Sequence, residues 1–449
     1  MRRPLRLCAL AVVALAGMAQ PVLAQQILRD AETEAFMADM SGQLIKAAGM
    51  EPKNVQVMVI NDPEINAFVA GGQYVWVHSG LIAQADNVNQ LQGVVAHELG
   101  HIEGGHVIRS GEGIKEATGI TLLSLVLGAA AIAGGAGEAG MGIMGLGQQA
   151  AMTKYLAFSR AQESSADLAG ARYLHTAGLS GRGSLEFFKK LQNQEYRLAI
   201  PQDNSYGRTH PLSGERINVL REVYTVDPAW DRPPDKALEA RFERIKAKLI
   251  GFVSEPAQTL QKYPESDQSV PAHYARAYAW HKSAYPDKAL GEADALIAVL
   301  PHDPYFLELK GQILLESGRP ADAIAPLREA VKLTNQPLIS VLLSHALIAT
   351  EDEANFAEAE QVLRLAVQRD RENPFAWYQL GVVYERRGDV PRAALATAER
   401  YEMIGQYPMA LRSADAAMQG LKPGTVDYLR AQDIAMVSRA AIEQQRKKK

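Results

Sequence analysis

Residues 94–102 read VVAHELGHI. His97 and His101 are four apart, so on an α-helix both imidazoles leave one face and reach one point. Two imidazoles so placed suit a zinc ion. Glu98, one position round, stands where a carboxylate holds the attacking water and takes its proton. The helical pattern runs over 87–108, with Leu91, Val94, Val95, Leu99 and Ile102 on one side. That is the apolar face a buried metal site needs, and two solvated surface histidines would not.

A zinc hydrolase takes three protein ligands and keeps a fourth position open. SRAQESSAD (159–167) lies on a second helical stretch, from about Thr153 to Ala177. Glu163, 62 residues after His101, is the natural third ligand. Asp167, four further on, shares its face and is placed to accept a hydrogen bond from a ligating histidine.

The surroundings mix helix and strand. Residues 30–49 read as helix. VQVMVI (55–60), NAFV (66–69) and YVWVH (74–78) are short and rich in β-branched and aromatic residues, which predicts strands. Gly71-Gly72 predicts a hairpin turn between the last two. Asp227-Pro228 and Pro233-Pro234 then punctuate the chain, and a charged helix over roughly 235–252 leads into a region that is helical throughout. In that region 304–333 and 374–403 align, Gly311 on Gly381, Gly318 on Gly388 and Ala323 on Ala393. Trp377…Leu380-Gly381…Tyr384…Ala393 resembles the tetratricopeptide (TPR) pattern, whose helix pairs stack into a solenoid.

Composition sets bounds. The 449 residues are 47% hydrophobic and 22% charged, enough for two or three packed domains and against wholesale disorder. Acids (51) outnumber Lys plus Arg (47), which argues against a nucleic-acid partner. Residues 1–24 read as an export signal: Arg2, Arg3 and Arg6, an apolar run from Leu7 to Ala16, and Val22-Leu23-Ala24 before the cut. Cleavage removes three arginines and no acid from a formal net charge of −4, leaving −7, and removes Cys8, the single cysteine. The expected destination is the periplasm, with membrane association left open.

HELGH, SRAQESSAD, then Arg208-Thr209-His210-Pro211-Leu212 and Arg216-Ile217 together resemble the HtpX-like family of zinc endopeptidases. With an export signal in front and TPRs behind, the chain looks most like the periplasmic β-barrel assembly-enhancing type of that family. The resemblance implies one zinc per chain on His97, His101 and Glu163, with Glu98 as general base and Asp167 orienting a ligand. It matches His210 to a histidine that can fill the open zinc position and hold the enzyme latent. Three roles stay open for His210: that regulatory ligand, a catalytic oxyanion stabiliser, or a structural residue. Arg216 matches a family arginine and also suits a salt bridge.

The expected architecture is therefore an α+β zincin-like metalloprotease domain, mostly helical with a small sheet, over 25–226. A linker and bridging helix (227–265) and an all-α TPR solenoid (266–449) follow. The expected function is cleavage of unfolded or misassembled proteins, with the TPR groove docking onto outer-membrane assembly machinery or holding clients. The rival is a proteolytically silent TPR chaperone or adaptor. One stretch is left over: ATGITLLSLVLGAAAIAGGAG (117–137) is uncharged, as is the run after Glu138 to Thr153. It reads as a membrane span, as a flap over the cleft making peripheral membrane contact through 117–153, or as a buried hairpin. His78 and His175 read as structural.

Overall fold

A computed structural model describes residues 26–133, 136–198, 210 and 214–447. The expected export signal of 1–24, the neighbours of His210 in the Arg-Thr-His-Pro-Leu motif, and the last two lysines lie outside the described residues.

Four strands form one sheet: β1 (Gln26–Leu28), β2 (Gln56–Asn61), β3 (Ala67–Ala70) and β4 (Tyr74–His78). Their order is β1-β2-β4-β3. The centre is a parallel pair that sets Val57 against Val75 and Val59 against Val77, all four turned into the core. β3 returns antiparallel on β4 through Gly71 and Gly72, at φ of 67° and 95°. Only glycine takes that backbone at little cost, which is why the pair marks the turn. β3 thereby becomes an edge strand. β1 is three residues long, too short to leave a readable alternation.

The motif helix, Val88–Glu103, starts where the Asn87 side chain accepts the Gln90 N–H. Its apolar side, Leu91, Val94, Val95 and Leu99, is buried against the sheet and its covering helices. It stops five residues before the pattern predicts. Gly104 and Gly105 close it, Gly105 at φ 59°, and a new helix, His106–Ala133, leaves in another direction. The ligand helix, Gly137–Thr176, begins well before Thr153, where the sequence placed its start. Glycine disfavours helix, and here packing against His106–Ala133 overrides that preference. These two helices make a long hairpin. The buried-hairpin reading of 117–153 is corrected: Leu122, Leu123, Val126, Met141 and Leu146 are exposed.

The bridging helix, Lys236–Val253, begins where Asp235 caps the N–H groups of Ala237 and Leu238. Paired helices follow to Lys447. The residues that align between repeats play the same parts in space. Gly318 and Gly388 both turn the chain at φ near +78°, 77° and 78° respectively. A Cβ on Gly311 would lie 2.3 Å from Leu327, so glycine there lets the two helices of a pair close up. The repeats wrap back onto the first domain. Arg244 of the bridge pairs with Glu32 and with Asp303, Lys248 lies 2.5 Å from Asp30, and Tyr274 donates to Glu32 at 2.6 Å.

Candidate metal centre and active site

The structure brings His97, His101, Glu163 and His210 together, all buried. His97 and His101 come from successive turns of the motif helix. Glu163 comes from the ligand helix, which crosses it at very close range. A Cβ on Gly100 would lie 2.6 Å from the Ala166 carbonyl oxygen, and one on Gly170 would lie 3.1 Å from Ala96. The glycine of HELGH is thus the contact that lets the carboxylate reach the imidazoles.

His97 Nε2 is 3.1 Å from His101 Nε2, 3.3 Å from His210 Nδ1 and 3.4 Å from Glu163 Oε2. His101 Nε2 is 3.4 Å from Glu163 Oε1, and His210 Nδ1 is 3.2 Å from both Glu163 oxygens. Bonds of about 2.0 to 2.1 Å to a tetrahedral zinc place its ligand atoms ~3.3 to 3.4 Å apart. The donor set fits that ion in element type, number and spacing. Glu98 gives a second test. It is fully buried, with neither carboxylate oxygen hydrogen-bonded, an arrangement a protein tolerates where a positive centre or a bound water completes the site.

The surrounding charges point the same way. Without a cation, burial works against a charged His97, but the carboxylates of Asp167 and Glu163 overcome it and hold the imidazole's pKa up at about 10. His101 is driven down to about 2, by burial first and then by the charge on His97. Burial also raises Glu98, while His210 and His97 hold Glu163 far below the ordinary carboxylate range in spite of its burial. The carboxylates of Glu163 and Asp167 thus favour positive charge at His97, while His101 is kept as a neutral imidazole, the form that can ligate a metal.

Second partners hold these donor groups. His97 Nδ1 lies 2.9 Å from Asp167 Oδ1, skewed from the ideal hydrogen-bond line. Arg216 donates through Nε and Nη2 to the two oxygens of Asp167, at 2.7 and 2.8 Å, and its Nη1 is 3.0 Å from Glu163. One buried guanidinium therefore fixes both carboxylates of SRAQESSAD. Sequence reasoning missed His106. Its Nδ1 is 2.9 Å from His101 Nδ1, and it folds over Gly104, where a Cβ would lie 2.2 Å from its ring. The signal was present in HIEGGH, but it follows a helix break, and periodicity cannot be carried across one. His78 stands apart from this centre, near Asp62.

The cleft beside the cluster has a volume of about 230 Å³. Phe68 and Val69 of the edge strand form one wall, and Val107, Tyr155 and Phe158 at the base of the hairpin form the other. His210 lies across it, with Nε2 3.3 Å from the Ala67 carbonyl oxygen and 3.5 Å from Glu98.

Residues 29–224 match the model of peptidase family M48, and residues 285–337 and 351–408 match that of the tetratricopeptide repeat. The chain is 23% identical to the β-barrel assembly-enhancing protease of Escherichia coli (strain K12) over 411 residues, 90% of this chain and 82% of that one. It is 24% identical to the protein of the same name from Yersinia pestis, over 88% of this chain and 81% of that one. It is 31% identical to the metalloprotease LoiP of Escherichia coli (strain K12), over 39% of this chain and 65% of that one. The chain is therefore a metalloendopeptidase that joins a segment matching peptidase family M48, residues 29–224, to tetratricopeptide repeats, and it is similar over most of its length to the β-barrel assembly-enhancing proteases.

Proposed function

We propose that the chain is a periplasmic zinc endopeptidase that cleaves unfolded or misassembled outer-membrane proteins, and that it rests in a latent state held by His210. The observation that carries this reading is the four-donor cluster with spacings of 3.1 to 3.4 Å. Three of its members suffice for a catalytic zinc site, so the fourth occupies the place a water needs.

His97, His101 and Glu163 would hold the zinc, whose chemistry when bound is to polarise the scissile carbonyl and acidify the attacking water. The chain's own groups do the rest. Glu98 takes the proton from the water and delivers it to the leaving amine. Its burial raises its proton affinity, which suits a group that must both accept and return a proton. Asp167 and Arg216 keep His97 and Glu163 in place. A substrate segment adds to the edge of β3, where main-chain pairing favours extended polypeptide over a defined sequence. His210 blocks both events: Nδ1 sits among the metal donors and Nε2 faces the Ala67 carbonyl oxygen of that edge. Its withdrawal would open the fourth position and release the strand edge together. The repeats supply the surface for clients or for the outer-membrane assembly machinery, consistent with the names of the relatives.

His210→Ala tests the reading. Cleavage of casein by the zinc-loaded variant is expected to rise at least severalfold. Glu98→Gln is expected to keep one zinc per chain and to lose about 10²- to 10⁴-fold in rate. A silent adaptor would show no cleavage in any variant, and a fall in activity in His210→Ala would instead assign His210 to oxyanion stabilisation.

A further inference from the structure

The loop that leads into the edge strand β3 carries another group of metal-ligating side chains. Asp62 and Glu64 stand at its start, and His78 ends β4. Each offers one ligating atom, and the three atoms lie within 4.8 Å of one another. Backbone contacts build this juxtaposition. The Gly80 N–H donates to the Asp62 carbonyl oxygen, and the Ser79 hydroxyl donates to that oxygen and accepts from the Asp62 N–H. A Cβ on Gly80 would lie 2.0 Å from the Pro63 carbonyl oxygen, so it is glycine that lets the loop close on the end of β4. The Glu64 N–H donates to Asp62 Oδ1 at 2.9 Å, which holds the two acidic residues in one turn.

His78 supplies the observation that points to an ion. It is 1% exposed, yet neither ring nitrogen makes a hydrogen bond. In the sequence it reads as structural, but a buried structural histidine is bonded through at least one nitrogen. Its Nδ1 lies 3.5 Å from Asp62 Oδ1. That is longer than the ~2.7 to 3.2 Å of an ordinary hydrogen bond. It is close to the ~3.3 to 3.4 Å between two ligand atoms on one tetrahedral metal ion. One imidazole and two carboxylates are a donor set for a divalent transition metal, and three ligands leave room for water.

We propose that Asp62, Glu64 and His78 bind a second divalent transition-metal ion at the end of the sheet. The site shares no residue with the HELGH cluster, so it stands or falls apart from the peptidase chemistry. It is the weaker of the two, because it has three donors in place of four and its two acids are only half-buried. Its link to the cleft is one contact. The His78 ring meets that of Phe68 edge to face, with centroids 5.9 Å apart, and Phe68 is a wall of the cleft. An ion on His78 thus steadies that wall and the loop feeding β3. Its role is structural and adds no second reaction.

Zinc is the probe. Mature protein is dialysed until it keeps only its tightly held metal, then titrated with zinc chloride in a calorimeter. One further equivalent is expected. It is expected to vanish in His78→Leu and to bind about 10- to 100-fold more weakly in Glu64→Gln, at least the cost of losing an outer partner of a metal site. His281→Ala, at the His281–Glu316 pair of the repeats, is expected to leave it unchanged. Glu163→Gln weakens the other centre and is expected to spare this one, so the two are counted separately. Leucine replaces an unbonded imidazole with an apolar side chain of similar size, so His78→Leu is expected to fold and, before zinc is added, to melt no lower than the parent. Excess zinc is expected to raise the parent's melting temperature by about 5 °C and that of His78→Leu not at all. A folded parent that takes up no further zinc would overturn the proposal. So would a further equivalent that binds unchanged in both His78→Leu and Glu64→Gln, because the ion would then sit elsewhere.

Discussion

His106 shows what one residue adds to a metal site beyond its ligands. A ligating imidazole is held by what its other nitrogen meets, and for His101, a proposed ligand, that is His106 Nδ1 at 2.9 Å. His106→Ala leaves every proposed ligand in place but frees the His101 ring to turn. Zinc affinity is expected to fall about 10- to 100-fold, read by competition with a chromogenic chelator. Unchanged affinity would reduce His106 to a wall of the cleft. Its neighbours were legible in the sequence because one helical turn sets His97 against His101 and Glu163 against Asp167. Arg216 was legible only through family resemblance, because nothing local says that a residue 49 positions after Asp167 comes back to bind it.

At the scale of elements, the site depends on how closely two helices cross. Gly100 and Gly42 make a matched pair of helical glycines. A Cβ on Gly100 would strike the backbone of Ala166, while one on Gly42 would meet nothing within 4 Å. Gly100→Ala is expected to cost about 1 to 3 kcal/mol and to weaken zinc binding, since it pushes Glu163 away from the histidines. Gly42→Ala is expected to add about 0.5 to 1 kcal/mol. Thermal unfolding of the two variants checks both signs. This scale is also where the sequence misled. The break at Gly104-Gly105 interrupts a pattern whose apolar residues continue beyond it. The early start of the ligand helix is concealed by glycines that disfavour helix locally and are needed at the seam. β1 falls below the length at which alternation can be counted.

At the scale of the molecule, the repeats and the first domain share a cavity of about 420 Å³, lined by Leu28, Asp30, Lys248, Tyr278, Glu308 and Phe375 among others. Burial pushes the Glu308 carboxyl up to about 8, although Lys248 pulls the other way. The folded protein therefore holds a proton that the unfolded chain gives up near pH 4.5, so stability falls as pH rises from there to about 8 and levels off beyond. Glu308→Gln is expected to stabilise the protein by about 1 to 3 kcal/mol at pH 8 and by little at pH 4.5. Denaturant midpoints at the two pH values measure it, and an equal gain at both would show that packing, not the proton, is responsible. The repeat architecture was legible from glycines and alanines that recur in register. The seam between the halves was not, because many of its contacts join residues more than two hundred positions apart, as the Lys248–Glu32 ion pair and the Tyr274–Glu32 hydrogen bond do.

That seam also bears on the order in which the protein is made. Arg29 pairs with Asp370 across 341 residues, and β1, just before it, completes the sheet. A ribosome delivers these first residues early and their partner near the end. The leading segment meets β2 and Lys248 first, and Asp370 is the last of its partners along the chain. A chain cut short before residue 370 would keep those earlier clasps and lose this one, so the far end of the repeats reports directly on the margin of the sheet.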